Sequence, residues 1–122
     1  MRSRYVLIAL LGLVAFLSRG AAAQTLDGFD RFVRPDGSFS FPGASARDGL
    51  AHLGSWFVPE GEARGFHHVY TQPESLAAYR ATGEFPDGAV LLKELRRDLR
   101  GTYTTGANVA SATELVQWFL MV

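Results

Sequence analysis

The chain has 122 residues, 48% of them hydrophobic, with twelve Lys and Arg against twelve Asp and Glu and no cysteine. That is the balance of one soluble globular domain, and the lack of cysteine excludes a disulfide framework, a thiolate metal site and a cysteine nucleophile. The even charge conceals an asymmetry: Arg2, Arg4 and Arg19 sit in an N-terminal secretion-type segment, and without them nine basic groups face twelve acidic ones, a net −3 that suits no nucleic-acid partner.

Arg2 and Arg4 precede the apolar run Tyr5 to Leu17, and Ala21-Ala22-Ala23 supplies the small residues that signal peptidase requires. A helix over that run rises only about 20 Å, against a hydrocarbon core of about 30 Å, so the segment reads as a cleaved signal rather than an anchor. Residues 1–23 are therefore expected to be removed. The mature chain, residues 24–122, would be exported to the periplasm with no membrane attachment.

From Gln24 to Gly49 the chain is rich in Gly, Ser, Asp and Phe, and Pro35-Asp36-Gly37 followed by alternating Phe39 and Phe41 predicts a hairpin or ordered arm. His52 to Val58 and Phe66 to Thr71 read as two strands joined by the polar loop from Pro59 to Gly65. Thr71-Gln72-Pro73-Glu74 matches a capping box, with the Thr71 hydroxyl bonding the Glu74 amide. A short helix over about Gln72 to Thr82 follows, with Leu76, Tyr79 and Arg80 on its inner stripe and Gly83 as its stop. Pro86 and Gly88 make a turn, and Ala89 to Arg96 reads as a strand, helix being the alternative. Leu99 to Asn108 predicts a loop or weak hairpin, and Glu114 to Val122 a last apolar strand. The fold class is α+β: a mainly antiparallel β-sheet with one short helix. The last strand stops without a turn signal or charged tail, so an incomplete domain is expected, a docked C-terminal strand being the alternative.

The basic residues comprise eleven arginines and one lysine, Lys93. On a strand from Ala89 to Leu95 it shares a face with Ala89, Leu91 and Leu95, where partial desolvation favours the neutral, nucleophilic amine that arginine does not offer. The plainer reading is a lysine that snorkels to solvent or pairs with Glu94 or Asp98. His67 and His68 point to opposite faces of a strand and do not close on one ion, and His52 adds a third isolated imidazole. Glu60, Glu62, Glu84 and Asp87 fall in loops and turns and read as solvated groups. No phosphate loop and no nucleophile elbow is present.

Leu53-Gly54-Ser55-Trp56, the run His68-Val69-Tyr70-Thr71-Gln72-Pro73-Glu74, and the long stretch from Tyr79 through Phe85-Pro86-Asp87-Gly88 to Lys93-Glu94-Leu95 closely resemble the cytochrome P-460 family. Thr104-Thr105-Gly106 and Trp118 to Val122 continue the resemblance, which covers about Gly49 to Val122. It implies a periplasmic c-type haem protein of largely antiparallel sheet, its haem held by a C-terminal CxxCH and cross-linked to a lysine in the strand after the Phe-x-Asp-Gly turn. Lys93 occupies that lysine's place. The implied activity is oxidation of hydroxylamine, in some relatives with nitric oxide, at a five-coordinate haem iron, with a periplasmic electron acceptor and a homodimer as open matters of partnership. The CxxCH has no counterpart in these residues, and His52, His67 and His68 precede the region of the proximal ligand, so none takes that role. The sequence thus reads as the N-terminal part of such a haem protein, inactive as written. The other readings are a haem-free exported binding or structural domain and a haem protein that binds nitric oxide.

Overall fold

The computed structural model describes residues 26–122, so the expected signal segment 1–23 lies outside the described residues. Among the described residues no helix is long and apolar enough to cross a membrane. Four strands, β1 (Ala51–Val58), β2 (Gly65–Thr71), β3 (Leu91–Tyr103) and β4 (Gly106–Met121), form one antiparallel sheet in sequential order, and helix α1 (Pro73–Thr82) connects β2 to β3. Among the described residues the architecture is mainly β with one α-helix, as the periodicity indicates, and two single-turn 3-10 helices at Phe29–Arg31 and Gly43–Ser45.

The first two strands lie within a residue of their expected bounds. The last two are longer than expected. The Gly/Thr-rich stretch, read as a loop or weak hairpin, is the tip of a hairpin: it continues β3 to Tyr103, turns at Thr104-Thr105 and returns as β4 from Gly106. β2 pairs β3 only between Leu91 and Arg96, so beyond Arg96 the last two strands run on as a two-stranded ribbon. Ala89 falls in the approach to β3 rather than in it.

The capping box does not form. Thr71 ends β2, and its buried hydroxyl donates to the Val90 carbonyl at 2.7 Å rather than bonding the Glu74 amide. Gln72 is the residue flanking the helix, and Pro73 takes its first position, where a missing N–H costs nothing. The Gln72 carboxamide is buried: Oε1 accepts from the Ser75 hydroxyl at 3.0 Å and the Val90 amide at 2.7 Å, while Nε2 donates to the Gly88 carbonyl at 3.0 Å. The expected inner stripe shifts accordingly. Ser75 is buried, whereas Tyr79 and Arg80 are exposed, Tyr79 stacking on Phe85 with ring centroids 4.6 Å apart. Gly83 closes the helix as expected, with φ of 82° and its amide donating to the Tyr79 carbonyl.

Residues 26–50 form an ordered arm across one face of the sheet. Its turn at Pro35-Asp36 brings Val33 opposite Phe39 in a single bridge, and the Ser38 amide donates to Asp36 Oδ1. Phe39 and Phe41 are exposed; Phe32 is the aromatic that enters the core, with Ala46, Val90 and Leu92. Arg31 fastens the arm to itself by donating to the carbonyls of Ser45 and Asp48. Leu50, Tyr70, Trp118 and Leu120 pack around this cluster, which lies entirely on the arm side of the sheet.

Candidate functional site

Strand pairing decides which side chains share the face turned away from the arm. Val69 pairs with Lys93 and Lys93 with Phe119; Leu91 pairs with Met121, and Trp56 with His67. Paired residues project to the same side, so this face gathers Trp56, Val69, Leu91, Lys93, Phe119 and Met121. They line an open depression of about 440 Å³. Trp56, Phe119 and Met121 are exposed, an apolar grouping that a soluble surface seldom presents without a use for it.

Lys93 is half-buried in this depression, its Nζ 4.1 Å from the centroid of the Phe119 ring. The pairing with Glu94 or Asp98 is not made. Glu94 projects to the arm side, where it is buried against Arg47 and Arg96, each at 3.0 Å. Asp98 is held by Arg64 at 2.8 Å and Arg100 at 3.0 Å. Among the described residues, then, no carboxylate neutralises the Lys93 amine, and its company is aromatic and aliphatic.

The same face holds His67, buried beneath Trp56 with the two rings nearly parallel and 5.2 Å apart. Its Nε2 bonds the Ala63 carbonyl at 2.8 Å, and its Nδ1 is buried with no partner among the described residues. His68 projects to the arm side, so the two adjacent histidines face apart, as strand geometry requires. Burial holds His68 below the ordinary histidine value; Glu94 opposes that, and His52, Arg96 and Arg47 add to it. Glu60, Glu62, Glu84 and Asp87 are all exposed, and among the described residues no three metal-ligating side chains converge.

Sequence reasoning singles out Lys93 and, of its neighbours, Leu91. It misses Trp56, Val69, Phe119 and Met121, which come from three other strand segments. Alternation along β2 and β4 assigns each of these residues a side of its own strand, but only the two registers against β3 bring Val69 and Phe119 beside Lys93.

The Cytochrome P460 family model matches residues 49–122, more than half of the chain, and the chain belongs to that family. No curated protein and no solved structure matches it. Membership implies a haem, and the Lys93 face fits part of what a haem needs: aromatic and aliphatic side chains to lie against a porphyrin, and one primary amine directed among them. The 122 residues contain no thiol for thioether attachment, and His67, the imidazole on this face, is enclosed under Trp56.

Proposed function

We propose, from this membership, that the sheet face around Lys93 is the cofactor face of a periplasmic haem protein, and that Lys93 forms the covalent link to the porphyrin edge. The single observation that carries the reading is the position of the only lysine, centred in an apolar depression with an aromatic ring 4.1 Å from its amine. A surface lysine kept for solubility has no need of that setting, and an arginine there would supply charge without a nucleophile. Trp56, Phe119 and Met121 exclude water from one side of the bound group, and Val69 and Leu91 floor the depression. Bound haem supplies the one-electron chemistry for oxidising hydroxylamine, with nitric oxide as a further substrate and a periplasmic electron acceptor as partner. Thioether attachment calls for thiols that these 122 residues do not contain, and we expect them to be inactive by themselves.

The test joins Val122 to a segment bearing CxxCH and expresses the product with a haem-attachment system. Peptide mass spectrometry should find haem on Lys93 as well as on the cysteines. Lys93→Arg should fold, attach haem through its cysteines alone, give an ordinary c-type spectrum and lose hydroxylamine oxidation. The unextended chain should show no haem-dependent peroxidase stain after denaturing electrophoresis. An unmodified Lys93 peptide in the extended protein, or an unchanged spectrum in the variant, would return Lys93 to a snorkelling strand residue.

A further inference from the structure

The arm side of the sheet carries an arrangement that the cofactor reading leaves unused. His52 of β1 and His68 of β2 both direct a ring nitrogen at one atom, the Ser55 hydroxyl oxygen: Nε2 of His52 lies 2.8 Å away, and Nδ1 of His68 is closer still. The irregularity in β1 between His52 and Gly54 makes this possible. It puts His52 opposite Tyr70 and Ser55 opposite His68 on the same side, although the spacing of 52 and 55 along a regular strand would set them on opposite sides. A serine hydroxyl has one proton, so it donates to one ring and accepts from the other.

We infer that His52 and His68 form a two-imidazole site for a divalent transition-metal ion, copper(II) above the others, with water completing the coordination. Two imidazoles converging on one point supply what such an ion requires of a protein once the ring that donates to Ser55 shifts its proton to its other nitrogen, so that both facing nitrogens present lone pairs, and imidazole suits copper, nickel and zinc alike. Copper(II) binds a given set of nitrogen donors most strongly and accepts a tetragonal shell partly filled by water. A structural zinc site takes four protein ligands, and no third histidine or carboxylate converges here among the described residues. His68 is the fixed partner: its ring stacks on Phe66 at 6.3 Å with only 8° between planes. His52 is exposed and lies against Tyr70 at 5.3 Å, free to close from hydrogen-bond length to a metal–nitrogen bond of about 2.0–2.1 Å. The Ser55 hydroxyl then gives up its bridging role. Glu94, paired across from His68, sets a negative charge behind the site, where Arg47 and Arg96 already share it.

The site lies on the opposite side of the sheet from Lys93, so it stands or falls independently of the haem reading. Titrating the full chain with Cu2+ and recording electron paramagnetic resonance and its spin-echo modulation tests it. One equivalent should bind with couplings from two imidazoles. His52→Gln and His68→Gln should each weaken binding at least tenfold and leave at most one imidazole coupling. Because His52 is exposed, its substitution keeps the test valid even if the His68 variant folds poorly. Ser55→Ala removes only the bridging hydroxyl and should retain the two-imidazole spectrum. Cu2+ binding that survives His52→Gln unchanged, a wild-type spectrum without two imidazoles, or no stoichiometric binding by folded wild-type chain would overturn the proposal.

Discussion

Replacing Gln72 with alanine should destabilise the protein by about 2–4 kcal/mol, because it strips a buried residue of three partners at once. The Val90 amide has no access to water, and leaving such a donor unpaired costs about 1–3 kcal/mol. The Ser75 hydroxyl is equally enclosed but can rotate, and the half-buried Gly88 carbonyl can recruit water, so these add the smaller share. In a domain of this size the total corresponds to a fall in Tm on the order of 10–20 °C. Urea unfolding followed by the fluorescence of Trp56 and Trp118 measures it. Gln72→Glu sharpens the comparison, since it keeps an acceptor for Val90 but turns an oxygen toward the Gly88 carbonyl. A buried carboxyl so placed holds its proton more tightly when folded than when unfolded. The stability of that variant should therefore approach wild type in acid and decline as pH rises past the ordinary glutamate range. A Gln72→Ala unfolding free energy within about 0.5 kcal/mol of wild type would refute the view that this carboxamide ties the helix to the entry of β3.

Gly65→Ala should cost about 3 kcal/mol or more in the same urea assay: φ is 133° there, and a Cβ would run into the Arg96 carbonyl oxygen and crowd Leu95. A loss under about 1 kcal/mol would mean that β2 and β3 can part at that point without harm. Asp98 offers a pH test. The hydrogen bond from Arg64 is the largest influence on its carboxyl and Arg100 adds another, and together they hold it down to about 2. A carboxyl depressed on folding stabilises above its unfolded value of about 3.9 and loses that contribution as pH falls toward the folded one. The stability gap between wild type and Asp98→Asn should accordingly close between about pH 4 and pH 2, and a gap independent of pH would contradict the assignment.

Much of the scaffold was legible because alternation and turn chemistry agree in the middle of the chain. His52 to Val58, Phe66 to Thr71 and the helix ending at Gly83 combine the right residue types with a local stop signal. The ribbon from Arg97 to Ala112 was harder to read because its residues are largely exposed on both faces, so no apolar alternation marks it. The capping box failed for a tertiary reason. Thr71 and Gln72 meet Val90 and Gly88, partners sixteen or more residues away that no local motif can register. Lys93 stood out as the lone lysine, yet the ring beside it and the depression around it depend on the registers of β2 and β4, which residue spacing alone leaves open. The His52, Ser55 and His68 cluster was invisible for a related reason, since a strand irregularity reversed the side to which His52 points.

The closed apolar cluster of Phe32, Ala46, Val90 and Leu92 lies wholly beneath the arm, and Lys93 looks out from the other side. The two sides therefore answer to different constraints. Substitutions at Trp56, Phe119 or Met121 change an open surface while the arm-side core stays intact, whereas changes at Phe32 or Leu92 threaten the fold. A lineage built on this sheet can exchange, weaken or abandon its cofactor one exposed residue at a time and remain folded at every step. Under the proposed role of Lys93, retention of a lysine at that position in such a lineage would report continued use of the amine rather than any need of the scaffold.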